Sequence, residues 1–307
     1  MNKTEFIYRI REEKGKRGVK ILAHTYQTPD IIDIADVTGD SFKLAVAAKA
    51  LDCDTVIVCG VKFMAETIKI LSPEKKVILA AAEATCPMAE QITPEQIRQF
   101  KEKHPDVAVC AYINTTAELK KEADVCVTSS SAINICKNIN NDKFLFIPDK
   151  NLGSYVSRAV PKKKFYLLDG FCPIHNKLDL DDVLDSKRAH PNALLAVHPE
   201  APFEITALAD YVGATSGIID FCLNRTDREV IIGTECGVWE YLTLHYPERR
   251  FYQLAPEKLI CKDMKYTDLT ALYAAIMGEG GLEIEIPEET RIRAKKSIDE
   301  MLRLGNK

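Results

Sequence analysis

Apolar residues along this chain fall into short, almost unbroken runs, separated by stretches of helical period. Residues 19–23, 55–59 and 77–81 are such runs, and 29–35, 41–51 and 63–71 between them place apolar side chains three and four apart. The alternation returns with runs at 107–111, 143–147 and 165–168, and again at 193–197, 229–232 and 251–254. Runs that are apolar at consecutive positions, not alternate ones, predict strands covered on both faces. Joined through helices, they predict an α/β fold of short parallel sheets flanked by helices. Such sheets bind ligands beyond the carboxyl ends of their strands. Residues 2–14 and 288–304 predict amphipathic helices with packing roles, and Gly278-Glu279-Gly280-Gly281 predicts a flexible turn before the second of them.

The three sets of runs are copies of one unit. Aligned on Ala35-Asp36, Ala123-Asp124 and Ala209-Asp210, whose aspartates stand 88 and 86 residues apart, other residues fall into register. Twelve residues before each aspartate lie His24, Tyr112 and His198, and ten before lie Tyr26, Asn114 and Glu200. Five after come Ser41, Ser129 and Thr215, and at offsets of 50, 48 and 51 come Cys86, Cys172 and Cys261. The repeat predicts an N-terminal helix (1–18), homologous α/β domains at 19–104, 105–192 and 193–282, and a C-terminal helix (283–307). Repeated units that stack or ring together bring equivalent positions near a common axis, so three polar sets and three thiols can converge on one site.

Composition narrows the class of protein. With 46% apolar and 28% charged residues, each unit can bury a core and solvate its surface. A net charge of -4 without a basic stripe argues against nucleic acid as a partner, and Lys162-Lys163-Lys164 reads as a solvated loop. No run approaches the roughly 20 apolar residues a membrane span requires, and the first residues alternate charge with hydrophobes unlike a secretory leader. Ten cysteines in such a chain predict a cytoplasmic protein whose thiols stay reduced or bind metal.

The residues in register suggest chemistry. Singly, Ser41, Ser129 and Thr215 read as helix N-caps, and His24 and His198 as structural histidines. Together, three helix starts and three donors at strand ends suit a ligand rich in carboxylate or phosphate groups. Tyr26 and Glu200 are the acid/base candidates, a phenol and a carboxyl at equivalent positions. Cys86, Cys172 and Cys261 lie in loops and could hold zinc or an iron-sulfur cluster with one position open. Cys53, Cys59, Cys110, Cys126, Cys136, Cys222 and Cys236 have no counterparts in the repeat and read as packing residues. Cys172 and His175 form a C-x-x-H pair with no second pair nearby, which places His175 behind the ligands and not among them.

With these residues in hand the chain resembles the quinolinate synthases, the NadA-type enzymes of NAD biosynthesis. The resemblance runs through ILAHTYQTPDIIDIADVTGDS (21–41), CGVKFMAETIKIL (59–71), AYINTTAELKKEADVCVTSS (111–130), IPDKNLGSYV (147–156), DGFCPIH (169–175), HPEAPFEITALADYVGATSG (198–217), GTECGV (233–238) and LICKDMKYTDL (259–269). It implies three homologous α/β domains around a pseudo-threefold axis and a 4Fe-4S cluster held by Cys86, Cys172 and Cys261. It implies condensation of iminoaspartate with dihydroxyacetone phosphate to quinolinate, with release of phosphate and water and an open iron as Lewis acid. His24, Ser41, Tyr112, Asn114, Ser129, His198, Glu200 and Thr215 would hold substrate, and Tyr26 and Glu200 would move protons. The enzyme that supplies iminoaspartate is an implied partner. Two positions depart from the pattern: Ala201 stands where many relatives carry another cysteine, and Thr25 where an aromatic or amide residue is common. Diphthamide-synthesis iron-sulfur enzymes, which need S-adenosylmethionine, and a non-catalytic metal-dependent regulator closing on a small anion are the rival readings.

Overall fold

The computed structural model describes residues 2–225 and 228–305. Among the described residues, thirteen strands form three sheets: β1 (Val19–His24), β2 (Val37–Gly39), β3 (Thr55–Cys59), β4 (Lys76–Leu79), β5 (Ala108–Tyr112), β6 (Val125–Val127), β7 (Lys143–Ile147), β8 (Lys164–Leu167), β9 (Leu194–Val197), β10 (Tyr211–Val212), β11 (Val230–Gly233), β12 (Phe251–Gln253) and β13 (Leu282–Glu283). The sheet orders are β13-β4-β3-β1-β2, β6-β5-β7-β8 and β10-β9-β11-β12, so each repeat lays down its strands in the same spatial sequence. All pairings are parallel except β13 on β4 (Leu282↔Leu79). Three parallel-dominated α/β sheets flanked by helices are the expected fold class.

Each predicted apolar run became a strand within a residue or two. The central ones are inaccessible: Ile21, Ile57, Val109, Phe146, Leu195 and Ile231 are all 0% exposed. Each such side chain contributes about 1.5–3 kcal/mol by leaving water. Sequence reading found three strands per repeat and missed a fourth, the short edge strands β2, β6 and β10. Two or three residues are too few to show a period, and the edges need no wholly apolar run.

The repeated aspartates start these edge strands. Asp36 Oδ2 accepts the Ile21 N–H at 2.8 Å while the Asp36 N–H donates to the Ile21 carbonyl at 2.8 Å. Asp124 does the same to Val109 (2.7 and 2.9 Å), and Asp210 to Leu195 (2.8 and 2.9 Å). A lysine backs each carboxylate: Lys14 on Asp36 at 3.1 Å, Lys101 on Asp124 at 3.2 Å, Lys187 on Asp210 at 3.3 Å. The aspartate thus fixes the register of the edge strand, and with it the turn that carries Ser41, Ser129 or Thr215. Asp36→Ala should cost about 1–2 kcal/mol, the range for a part-buried hydrogen bond to a charged group, and leave the site chemistry intact. Denaturant midpoints of the two proteins would show it, and unchanged midpoints would make the clamp ornamental.

The chain divides into two compact units. The first, up to Cys86 together with Cys261–Glu288, holds the β1 sheet, and in it helix Lys3–Arg17 packs on helix Leu269–Met277, with Phe6 edge-on to Tyr273 at 5.9 Å. Gly278 ends the latter helix at φ 76°, a left-handed conformation that glycine adopts without cost. The second, Pro87–Ile260 and the segment from Glu289 onward, holds the other two sheets. There helix Glu288–Gly305 buries Ala294, Ile298, Met301 and Leu304, and Ser297 Oγ reaches the Lys120 carbonyl at 3.0 Å.

Candidate functional site

In the first unit the repeat residues gather around one short helix, Lys262–Lys265, whose N-cap position is Cys261. His24 is the last residue of β1, and its Nδ1 accepts the Tyr26 N–H at 3.1 Å, with the two rings edge to face at 4.5 Å. Lys265 Nζ donates to the Tyr26 carbonyl at 2.6 Å, and Gln27 Nε2 to the Met264 carbonyl at 2.5 Å. Thr85, next to Cys86, donates to Asp263 Oδ1 at 3.3 Å. The turn after β1, the Cys86 loop and the Cys261 loop are therefore sewn to the same four residues. Ser41 opens helix Ser41–Ala50, but Asp40 is its N-cap, accepting the Lys43 N–H at 2.9 Å.

In the second unit a buried cluster forms beyond the strand ends. Tyr112 closes β5 and His198 follows β9, at 4% and 3% exposure. Glu200, also 3% exposed, sets Oε2 at 2.9 Å from His175 Nδ1 and 3.7 Å from His198 Nδ1. The two imidazoles stack with centroids 4.8 Å apart. His175 Nδ1 also lies 3.3 Å from Cys172 Sγ, and its Nε2 lies 3.0 Å from Thr234 Oγ1. Burial works to raise the Glu200 pKa, but the His198 charge, the His175 hydrogen bond and charge, and the Tyr112 hydroxyl outweigh it and hold the carboxyl at about 2. The site thus keeps a carboxylate ionised in a place that water does not reach. The His198 turn repeats the His24 turn, its Nδ1 accepting the Glu200 N–H at 3.4 Å.

Residues outside the repeat pattern brace this cluster. Asp149, 0% exposed, caps helix Lys150–Ala159 through the Leu152 N–H at 2.7 Å and accepts the Cys172 N–H at 2.8 Å. Burial first, and then the Glu200 charge, push its carboxyl well above the usual range. Asn151 Nδ2 donates to the Glu200 carbonyl at 3.0 Å and to Asn176 Oδ1 at 2.9 Å. Phe171 donates its N–H to Gln91 Oε1 at 2.8 Å, and at Gly170 a Cβ would stand 2.3 Å from the Pro148 carbonyl oxygen, so only glycine passes there.

The structure corrects one reading of the sequence. Ser41 and Thr215 are first helical residues behind the N-caps Asp40 and Ala214, and Ser129 precedes the helix Ala132–Asn138, whose N-cap is Ser131. None of the three is the N-cap that each resembles singly. His175 lies directly behind Cys172, as the sequence places it, and also touches Glu200. Asp149, Asn151 and Thr234 carried no repeat signal; the motifs IPDKNLG and GTECGV in which they stand were the available one. Asn114 and Ser129 are half-buried in the turns after β5 and β6.

The thiols sort by burial. Cys59, Cys110, Cys126, Cys136 and Cys222 are buried, and burial raises the pKa of Cys59, Cys110, Cys126 and Cys222, the last to about 12, which keeps them protonated and inert. Cys86, Cys172 and Cys261 are half-exposed in loops, and Cys53 and Cys236 are half-exposed as well, so burial sets aside five of the ten thiols and the repeat register separates the rest. One thiol, one imidazole and one carboxylate from Cys172, His175 and Glu200 lie within 4.8 Å of one another, a donor set suited to a metal. Among the described residues, no helix is long and apolar enough to cross a membrane.

Residues 8–303 match a family model described as NadA: Quinolinate synthetase A protein. The chain is 45% identical over 300 residues to the quinolinate synthase of Methanoregula boonei, covering 98% of this chain and 97% of that one. It is 45% identical over 296 residues to that of Caldicellulosiruptor saccharolyticus (96% and 97% covered) and 42% over 304 residues to that of Alkaliphilus metalliredigens (99% and 100%).

Proposed function

Because the chain belongs to the quinolinate synthase family, an enzyme family of NAD biosynthesis, we propose that it condenses iminoaspartate with dihydroxyacetone phosphate to quinolinate, releasing phosphate and water. The overall change needs no net electron transfer. The site is that of a metal-dependent enzyme, and the metal group we assign is a 4Fe-4S cluster on Cys86, Cys172 and Cys261, working in the cytoplasm. Half-exposed thiols in loops, two of them anchored to one short helix, fit such a group better than the buried thiols do. When bound, the cluster supplies an open iron that acts as a Lewis acid in the dehydration steps. We assign the repeat domains at 19–104, 105–192 and 193–282, between helices at 1–18 and 283–307; the common strand order of the three sheets supports this, while residues 261–282 pack with the first sheet.

The chain's own residues bind and move protons. Helix Ser41–Ala50 and helix Thr215–Asn224 begin at Ser41 and Thr215, and the positive dipole ends there favour carboxylate or phosphate. His24, Tyr112, Asn114, Ser129 and His198 add donors from strand ends and turns. Glu200 and the Tyr26 phenol are the groups that move protons, Glu200 through its contacts with His175 and His198 and Tyr26 from the turn after β1. The observation that carries this reading is the buried contact of Glu200 with His175 and His198 beside Cys172, an acid/base group next to a metal-binding thiol.

Anaerobically purified protein should be brown, with about four irons and four sulfides per chain, and should form quinolinate and phosphate from the two substrates. Stoichiometric zinc without iron would overturn the cluster. Substrate binding without phosphate release would point to an anion-binding regulator, and reductive cleavage of S-adenosylmethionine to a diphthamide-type enzyme.

A further inference from the structure

Cys172, His175 and Glu200 belong to a single compact unit, whereas Cys86 and Cys261 belong to the other. A cluster on three cysteines needs both units, but the Cys172 group needs only its own. We propose that in the cluster-free chain Cys172 Sγ, His175 Nδ1 and a Glu200 carboxylate oxygen form a site for one divalent cation of borderline softness, such as zinc, cobalt or ferrous iron. The inference rests on the reading above only in naming Cys172 as a ligand that the cluster also claims.

The ligand types and their spacing support it. One thiolate, one imidazole and one carboxylate leave a fourth position open, as in three-ligand catalytic zinc sites. Metal–ligand bonds of about 2.0–2.3 Å in tetrahedral array put ligand atoms roughly 3.3–3.7 Å apart. The 3.3 Å from His175 Nδ1 to Cys172 Sγ meets that spacing, the 2.9 Å from Nδ1 to Glu200 Oε2 must open by a few tenths of an ångström, and the third pair, Cys172 Sγ and the Glu200 carboxylate, lies within 4.8 Å and closes on a bound cation by a small side-chain shift. A ligating histidine normally donates its other N–H to an oxygen, and Thr234 Oγ1 stands 3.0 Å from Nε2 to receive it. When the cation takes Nδ1, the ring keeps its one hydrogen on Nε2, and the Cys172 thiol releases its proton to water. The backbone behind the ligands is already held: Asp149 binds the Cys172 N–H and Asn151 the Glu200 carbonyl. Because the site shares Cys172 with the cluster, a bound divalent cation and the cluster exclude one another, and zinc should block iron loading at one equivalent per chain.

Cobalt(II) reports the site by colour. The full chain, stripped of iron by a chelator under anaerobic reducing conditions, should bind one cobalt with tetrahedral visible bands and a thiolate-to-cobalt charge-transfer band in the near ultraviolet. Cys172→Ala should abolish the charge-transfer band, His175→Ala should weaken binding by at least about 10- to 100-fold, and Thr234→Val should weaken it by roughly tenfold. Cys86→Ala and Cys261→Ala should leave spectrum and affinity unchanged. Retention of parent affinity in His175→Ala, or loss of the cobalt signal in Cys86→Ala or Cys261→Ala, overturns the proposal. If His175→Ala fails to fold, as judged by its circular dichroism and melting without metal, Thr234→Val decides the matter, and an unaltered affinity there counts against it. Absence of iron in the parent protein would instead overturn the cluster reading, and the cobalt result would stand apart from it.

Discussion

Cys172→Ala should abolish quinolinate formation and strip most of the iron, and Cys86→Ala and Cys261→Ala should do the same, while Cys110→Ala and Cys222→Ala should keep both. The contrast follows from where the thiols stand. Cys110 and Cys222 are 0% exposed, and burial raises their pKa values, so neither offers the thiolate that a metal requires. Losing either sulfur should cost on the order of 1 kcal/mol of packing. Cys53→Ala belongs with them, since burial raises that thiol as well. The loop cysteines contribute little packing, but on the proposed assignment each replacement would remove one attachment of a cluster that has no protein thiolate to spare. Iron and sulfide content, together with quinolinate formed under anaerobic conditions, check the series. If Cys110→Ala loses iron and Cys172→Ala retains it, the alignment of the three repeats is wrong.

The repeat was legible because the fold uses the same few contacts three times. The central strands are apolar at nearly every position, with Lys20 in β1 as an exception, so β1, β5 and β9 stand out along the chain, and the sequence places His24, Tyr112 and His198 at strand ends. Asp36, Asp124 and Asp210 were visible as register marks without a role, since each clamps a backbone group 15 residues earlier and a backbone group leaves no trace in residue type. Their work also hid the strands they start, for β2, β6 and β10 need only two or three residues once the clamp sets the pairing.

The site was legible where it repeats and obscure where it does not. The C-x-x-H pair places His175 behind Cys172, but its second partner, Glu200, comes from the turn after β9 and leaves no mark in that spacing. Asp149 and Asn151 are out of register altogether. They sit where helix Lys150–Ala159 begins, so a cap that would ordinarily serve only its own helix also holds the N–H of Cys172, and its neighbour holds the carbonyl of Glu200. Such bracing depends on distances across the fold, which spacing along the chain does not encode.

Glu200→Gln, compared with the parent at equal iron content, should lower turnover by about 10²- to 10⁴-fold, the usual loss when general acid/base catalysis is removed. Glutamine keeps the shape of the side chain and can still lie beside His175 and His198, so iron content should not change. It cannot carry the charge that those histidines and Tyr112 stabilise. A second consequence separates this role from packing. The carboxyl is depressed from 4.5 to about 2, so its contribution to stability is present above its unfolded value and is lost as pH falls from about 4.5 toward about 2. The iron-free Gln variant should therefore be less stable than the parent at neutral pH and should lose less stability across that acid window. Tyr26→Phe should show the fall in turnover, while Ser129→Ala and Thr215→Ala should chiefly raise the substrate concentration required, because they alter turns and helix starts that meet anions. If Glu200→Gln at matched iron forms quinolinate at the parent rate, the carboxylate only holds the histidines in place, and proton transfer in that half of the site passes to His175.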